Sequence, residues 1–485
     1  MPTVATKFKE SARLINPDLA PTQQKQWGWY SIFAFWMSDV HSVGGYVFAA
    51  SLFALGLASW QVFCCLIAGI MIVLYFANLM GKPGQKAGVP FPVVCRMSFG
   101  VLGANIPAVI RGLIAVVWYG IQTFLASSVF IVLVLYFKPE YQVYTQGGIL
   151  GLSPLGWFGF LFMWVVQALV FMFGMGAIKK LIDWSGPAIY LAMALLTAFM
   201  VYKAGWSNID LNLSEQRLNG WQALNQMLVA TALVAGYFAG PSLNFSDFSR
   251  YCKSYKELKI GNILGLPLNF ILFSFFSVII VATSIPVFGE MITDPIETVS
   301  RLNSGLVIIL GALTFILATV GINIVANFVA PAFDFSNVAP NKISFKTGGF
   351  LAAFGSVLIT PWNLFNNPEM IHYTVDILAA MIGPIYGIVI VDYFKVKQQQ
   401  IDLVSLYTLD PKGRYWYQSG INPKALYALI PATFAALISS FIIIEMANFA
   451  LFIGGIFASV IYYGLMKPEW QSSSHKPQYA SLDEV

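Results

Sequence analysis

The chain has 485 residues, of which 58% are hydrophobic and only 10% are charged. A soluble protein of this size needs more charged residues on its surface. The composition therefore indicates a polytopic membrane protein and excludes an ordinary soluble enzyme or binding module. A net charge of +5 then indicates basic loops on one membrane face rather than binding to nucleic acid.

Hydropathy and loop signals predict twelve membrane-spanning helices and therefore an all-α fold. The predicted spans cover approximately residues 29–58, 60–80, 104–135, 155–175, 183–203, 222–246, 261–287, 304–331, 348–366, 371–394, 424–444 and 446–466. Most of the 27 Lys and Arg residues lie in segments on the side of the N-terminus. This bias predicts that both termini are cytoplasmic, and we expect a multi-pass protein of the plasma membrane, the inner membrane in a bacterium.

The first predicted span carries ionisable residues at membrane depth. Asp39 and His41 lie within it, and Gly44 and Gly45 follow. Ionisable groups in the membrane mark a solute or ion pathway by default, and the glycine pair is expected to interrupt the helix there. Asp39 is either a proton carrier, with His41 able to share the proton, or a hydrogen-bonded carboxyl that anchors a neighbouring helix.

The third and eighth spans place polar side chains one helical turn apart. Trp118 and Gln122 share one face of span 3, and Asn323 and Asn327 share one face of span 8. An indole beside an amide suits a flat heterocycle, because the ring can stack while the amide donates and accepts hydrogen bonds. The alternative is that these residues only pack and hydrogen-bond between helices.

Two halves of similar length suggest an internal repeat. Residues 28–203 and 204–394 each hold five predicted spans, and an odd number inverts the second half. The stretch from Gly236 to Gly240-Pro241 interrupts span 6 as the glycine pair interrupts span 1, and matching breaks in inverted halves predict a central substrate site. Residues 1–27 form a cytoplasmic segment, residues 395–466 a cytoplasmic loop with helices 11 and 12, and residues 467–485 a cytoplasmic tail.

Asp247 and Arg250 follow span 6 and lie three residues apart near the cytoplasmic surface. They are suitably spaced for an ion pair or an intracellular gate. A solvated pair at the end of a loop is the alternative, and it would contribute little energy.

Several ordered motifs resemble the nucleobase-cation-symport-1 family over about residues 15–465. The matching stretches are NPDLAP at residues 16–21, GVPFPV to RMSFG at 88–100, WYGIQ at 118–122, ANFVAP at 326–331 and GP to DYF at 383–394. The resemblance implies a LeuT-like fold of five plus five inverted helices, with helices 1 and 6 discontinuous. It also implies secondary uptake of nucleobases, hydantoins, allantoin or related vitamins.

The resemblance assigns roles to individual residues of a substrate site. Trp118 resembles the stacking tryptophan, Gln122 its amide partner and Asn327 the polar contact from span 8, while Phe238 falls where the hydantoin transporter has a second tryptophan. Ser42 replaces a longer glutamine of that transporter. The implied substrate-binding set is Trp118, Gln122, Phe238, Asn327, Ser42, His41 and Gly240.

A cation-coupling site is implied between spans 1 and 8. The sodium-coupled hydantoin transporter uses two adjacent hydroxyl side chains there, and these positions align with Gly321 and Ile322. Sodium prefers oxygen ligands, so their loss favours protons over sodium unless waters or Ser38 replace them. The predicted coupling residues are Asp39, Ser38, His41, Ala318, Gly321 and Ile322.

We therefore expect a secondary transporter that imports a planar nucleobase-like or hydantoin-like ring by cation-coupled alternating access. The alternatives are a nucleobase-binding sensor or receptor without net transport, or uptake of a vitamin such as thiamine. No catalytic motif points to an enzyme, and the four cysteines lack metal-ligand spacing. We expect no cofactor, no metal site and no nucleic-acid partner, and a protein that functions as a monomer in the lipid bilayer.

Overall fold

The structure, a computed structural model, describes residues 11–40, 42–211, 213, 218–302, 304–365 and 368–472. His41 and parts of both predicted terminal segments lie outside these ranges. Within them the chain is helical, with isolated bridges but no strand. The helices are α1 Trp29–Val40, α2 Val43–Ser51, α3 Ser59–Ala87, α4 Phe91–Phe99, α5 Asn105–Phe137, α6 Pro154–Met172, α7 Met175–Ala204, α8 Gly220–Tyr237, α9 Ala239–Leu243, α10 Ser246–Ser249, α11 Tyr255–Ile263, α12 Asn269–Phe288, α13 Pro295–Ser300, α14 Gly305–Ile322, α15 Ala330–Val338, α16 Phe345–Leu358, α17 Pro368–Val391, α18 Pro423–Phe441 and α19 Ala450–Ser472.

Nine helices of the described residues are long and apolar enough to cross a membrane, when helices continuous through a π-helical turn are taken together. The prediction of an all-α membrane protein is confirmed. The number of twelve spans, the inverted repeat and the boundaries of the two halves stay predictions.

Both predicted helix breaks occur, although the first lies earlier than expected. Helix α1 ends at Val40 and α2 begins at Val43, so Gly44 and Gly45 lie inside the second half rather than at the break. The second break lies at Phe238, between α8 and α9, within the predicted stretch. Broken helices leave backbone groups free to face a cavity at the middle of a membrane protein.

A wider turn interrupts the helix formed by α14 and α15. Residues Asn323–Val329 form a π-helical segment, and its seven residues are all buried. Such segments frequently occur at functional sites because they displace side chains from the regular helical register. Here the segment carries both asparagines that the sequence singles out.

Close backbone contact joins α17 to α19. A Cβ at Gly387 would lie 2.2 Å from the Gly455 carbonyl oxygen, so only glycine permits this approach. Helices in lipid gain little from the hydrophobic effect and associate through close packing, for which small residues are suited. This contact attaches α17 to the C-terminal helix.

The segment that follows α17 forms a buried polar cluster with α4 and α19. This cluster, here named the Lys397 cluster, consists of Lys397, Asp392, Ser98 and Tyr462. Lys397 forms an ion pair with Asp392, and both side chains are almost fully buried. Asp392 also accepts hydrogen bonds from Tyr462 Oη at 2.7 Å and Ser98 Oγ at 2.9 Å. Burial lowers the pKa of Lys397, and the charge of Asp392 opposes that change.

Candidate substrate site between the broken helices

Ser42 caps the start of α2 beside the first helix break. Its backbone is extended, and its Oγ accepts a hydrogen bond from the Gly45 amide at 3.0 Å. The cap satisfies one of the amide groups that a helix start leaves free. The structure therefore places Ser42 at the break with its hydroxyl already engaged, and its contact with a substrate stays a prediction.

Gly44 allows α2 to lie against two polar side chains from other helices. A Cβ at this position would lie 2.9 Å from Tyr237 Oη and 3.1 Å from Gln122 Nε2. Both separations are shorter than ordinary contact, so a larger residue would displace one of these groups. Gly44 brings α2, α5 and α8 together at one point.

Aromatic rings from four segments enclose this point. Trp118 makes an edge contact with Tyr237 at a centroid distance of 5.0 Å and another with Phe365 at 6.1 Å. Tyr237 also stacks on Phe48 at 4.3 Å. The predicted tryptophan thus lies in an aromatic wall that could hold a planar ring.

Tyr237, to which the sequence reasoning gave no role, makes an edge contact with Trp118, while the role of Phe238 in substrate binding stays a prediction. Phe238 packs against Tyr237 and Phe270, each at 4.8 Å, and makes no ring contact with Trp118 in the described structure. One residue along a helix turns a side chain by about 100°. The only sequence signal for Tyr237 was that it is aromatic and directly precedes Phe238.

The two predicted amides are both buried, and they differ in their hydrogen bonds. Gln122 is 3% exposed, and its Oε1 has no partner in the described part of the chain. Asn327 is 6% exposed and donates from Nδ2 to Asn323 Oδ1 at 3.1 Å. Asn323 in turn donates to the Tyr119 carbonyl at 3.0 Å, which ties the π-helical segment to α5.

The predicted coupling region contains two hydroxyl groups, those of Ser185 and Thr319, that the sequence reasoning did not identify. Ser38 Oγ lies 3.1 Å from Ser185 Oγ of α7, and a Cβ at Gly321 would lie 3.6 Å from the same Ser185 oxygen. Thr319 Oγ1 accepts a hydrogen bond from the Val43 amide at 3.3 Å. Ser185 therefore reaches the gap left by Gly321 from a helix to which the sequence assigned no role.

The remaining coupling residues are buried around the same break. Ala318 and Ile322 are buried in α14, and Asp39 lies in the last turn of α1 with 3% of its surface exposed. Asp39 Oδ2 has no hydrogen-bond partner among the described residues. No group of three or more His, Cys, Asp or Glu residues suited to a metal ion occurs in the described ranges. His41, predicted for both sites, lies outside them.

Asp247 and Arg250 do not form the predicted ion pair. Asp247 accepts hydrogen bonds from the Phe91 amide at 2.8 Å and Asn244 Nδ2 at 2.9 Å. Arg250 instead donates to three backbone carbonyls, those of Asp18, Ala20 and Gly88. Asp247 is held by an amide and by Asn244, whereas Arg250 is held by backbone carbonyls, and the spacing of three residues does not reveal these partners.

Gly240 contacts an arginine that the sequence reasoning left without a role. Arg111, 1% exposed, donates from Nε to the Gly240 carbonyl at 3.3 Å and to Asn244 Oδ1 at 2.9 Å. Its Nη2 donates to the Ala326 carbonyl at 3.2 Å. Arg111 thus joins the second helix break to the π-helical segment, and a substrate contact of Gly240 stays a prediction.

Comparison with known proteins identifies the family to which this chain is similar. A family described as permeases for cytosine and purines, uracil, thiamine and allantoin matches residues 20–455. The allantoin permease of Bacillus subtilis is 32% identical over 464 residues, which cover 95% of this chain and 94% of the relative. The purine-uracil permease NCS1 of Arabidopsis thaliana is 33% identical over 486 residues, covering 95% and 80%.

A solved structure shares the fold. Mhp1, a nucleobase-cation-symport-1 family transporter in a closed conformation with bromovinylhydantoin bound, matches with a TM-score of 0.75. The match covers 94% of this chain and 96% of Mhp1 at 23% identity. It supports the helical architecture around the two breaks.

Proposed function

Because the chain belongs to the family of permeases for cytosine and purines, uracil, thiamine and allantoin, we propose that it imports a small planar heterocycle with amide-like edges. Uracil, allantoin, hydantoin and the purine bases are the substrates of this class that we favour. The family resemblance inferred from the motifs is confirmed, and the chain is a multi-pass membrane permease rather than an enzyme.

The observation that carries this proposal is the combination of an aromatic wall and buried amides. Trp118 and Tyr237 offer ring surfaces, and Gln122 Oε1 is a buried acceptor that has no partner among the described residues. A planar ring could stack on an aromatic face while its polar edge satisfies that acceptor. Uracil-like and purine-like edges both carry the N–H groups that such an acceptor requires.

We expect Trp118→Ala and Gln122→Ala each to abolish saturable uptake of the substrate while the protein remains in the membrane. Each substitution removes a group that would contact the ring or its edge. The measurement is uptake of labelled uracil, allantoin, hydantoin or hypoxanthine by cells, with immunoblots of the membrane fraction. Trp184→Ala is the matched control, because Trp184 is 78% exposed on the outer surface of α7. Normal uptake by both site variants would contradict the assignment.

For the driving force, we propose alternating access coupled to protons rather than sodium. A buried carboxylate in a membrane is costly when ionised, so Asp39, whose Oδ2 lacks a partner among described residues, is suited to bind a proton. Gly321 and Ile322 contribute no hydroxyl oxygen for sodium, although Ser38 and Ser185 lie nearby.

Coupling is tested by uptake with and without sodium, and with a proton uncoupler. Proton coupling predicts that the uncoupler abolishes accumulation and that replacement of sodium leaves it unchanged. Asp39→Asn should lose accumulation but retain exchange of labelled for unlabelled substrate, because a neutral amide keeps the side-chain shape without carrying a proton. Sodium-dependent uptake that resists the uncoupler would contradict this part of the proposal.

The same uptake measurements separate transport from a receptor function. A sensor would bind the ring without accumulating it in cells or in sealed vesicles. A competition panel that includes thiamine with nucleobases, allantoin and hydantoins distinguishes the vitamin from the heterocycles.

We also propose that both termini are cytoplasmic and that the monomer transports. The proposed orientation rests on the concentration of Lys and Arg residues in segments on one side. Reporter fusions at each terminus test the orientation, and uptake by protein reconstituted at one copy per vesicle tests the monomer.

A further inference from the structure

A chain of buried amides runs from α6 through the π-helical segment to the substrate site. Gln167 Oε1 accepts a hydrogen bond from Asn323 Nδ2 at 2.7 Å, and Asn323 Oδ1 accepts one from Asn327 Nδ2 at 3.1 Å. Gln167 and Asn323 have no exposed surface, and Asn327 has 6%. Each bond therefore forms away from solvent, where an unpaired polar group would be costly.

Backbone carbonyls determine which way these amides point. An amide side chain can turn either its oxygen or its NH2 group towards a neighbour, but a carbonyl only accepts. The Tyr119 carbonyl, 3.0 Å from Asn323, therefore requires the NH2 group of Asn323 on its side. The Met163 carbonyl, 3.1 Å from Gln167 Nε2, orients that side chain in the same way.

The orientation of Asn323 determines that of Asn327. With its NH2 group held at the Tyr119 carbonyl, Asn323 can offer Asn327 only its oxygen. Asn327 must then direct its own NH2 group to Asn323. Asn327 Oδ1 is left as a hydrogen-bond acceptor that takes no bond from any described residue, on the same side chain that is predicted to contact the substrate.

We infer that Asn323 is a positioning residue that turns the oxygen of Asn327 towards the substrate, so that the site selects rings offering an N–H group there. This inference rests on the proposed function, since it refines the substrate class of the same site. Gln122 Oε1 is a second buried acceptor. The favoured ligands are therefore cyclic ureides and lactams with free N–H groups, and a ring methylated at the nitrogen that faces Asn327 is rejected.

The experiment measures competition binding to the purified full-length protein. The probes are uracil and hydantoin, each compared with its two mono-N-methyl derivatives. In the wild type, one of the two methyl derivatives should bind about 10- to 100-fold more weakly than its parent, because the methyl group leaves Asn327 Oδ1 unpaired. The ratio of parent to derivative is the readout, since a general loss of packing would lower both affinities alike.

Two substitutions at Asn323 separate positioning from a merely structural role. Asn323→Leu removes the acceptor that holds Asn327, so Asn327 can turn over and the ratio should fall to below about 3-fold. Asn323→Asp keeps an oxygen facing Asn327 Nδ2 and should retain the wild-type ratio even if its overall affinity falls. Asn262→Leu is the matched control, because Asn262 is equally buried but bonds to Trp36 and Asn78 instead.

The outcomes distinguish this inference from the proposed function. The positioning role would be overturned if Asn323→Leu kept the wild-type ratio of parent to methyl-derivative affinity, or if Asn323→Asp lost it. If Asn323→Leu does not fold, the ratio in Asn323→Asp decides alone. Wild-type protein that binds uracil or hydantoin and their methyl derivatives equally would overturn this inference only. Wild-type protein that binds no probe would contradict the proposed function, and with it the inferred selection of rings that offer an N–H group.

Discussion

The Lys397 cluster and the substrate site are both buried and polar, but they differ in how completely their groups are paired. Asp392 forms an ion pair with Lys397 and accepts hydrogen bonds from Tyr462 and Ser98. In the substrate site, Gln122 Oε1 has no hydrogen-bond partner among the described residues. Most buried polar groups in proteins are paired, so unpaired ones need an explanation.

The difference indicates that the two regions have different tasks. A fully paired cluster holds α4, α17 and α19 in one arrangement, and its loss should lower the stability of the fold. An incompletely paired site retains hydrogen-bonding capacity for a ligand, and its loss should affect binding more than stability. This contrast between stability and binding can be tested by substitutions in each region.

The largest expected effect on stability comes from Lys397→Ala. It leaves Asp392 buried without its charge partner, and breaking a buried ion pair in this way costs about 3–5 kcal/mol. Thermal unfolding of the purified protein should show a clearly lower melting temperature, while the surviving folded protein binds substrate normally. Lys395→Ala, at an exposed lysine two residues earlier, is the control. Equal melting temperatures would show that the cluster contributes nothing to stability.

Gly44→Ala should have the opposite profile. The new Cβ would lie 2.9 Å from Tyr237 Oη and 3.1 Å from Gln122 Nε2, so the side chains that line the site must shift. We expect binding to weaken by more than about 10-fold, because a displaced polar group loses its hydrogen bond to the ligand, while the melting temperature changes little. Gly464→Ala, which adds a Cβ in open space, provides the control. Unchanged binding would place the ligand elsewhere.

Tyr237→Phe is expected to have the smallest effect. It removes Oη but keeps the ring contacts with Trp118 and Phe48, so the fold should persist. Loss of one hydrogen bond to the ligand should weaken binding by about fivefold, as expected for about 1 kcal/mol. Tyr75→Phe, at a 63% exposed tyrosine, serves for comparison. An affinity equal to that of the wild type would remove Tyr237 Oη from the binding site.

The sequence by itself determined the membrane class, the helical architecture and the presence of two helix breaks. These properties follow from composition and from periodicity along one chain, which local physics translates directly into helices. The spacing of Trp118 and Gln122 likewise sufficed to place both on one face of one helix. The family motifs then pointed to the correct family of permeases.

Only the tertiary structure decided which groups meet across helices. It placed Tyr237 rather than Phe238 against Trp118, brought Ser185 to Ser38, and directed Arg250 to backbone carbonyls instead of Asp247. Such contacts depend on the rotation and depth of each helix relative to its neighbours, which packing of the whole bundle determines. The orientation of Asn327 is decided in the same way, because the carbonyl that governs it belongs to a different helix, α5.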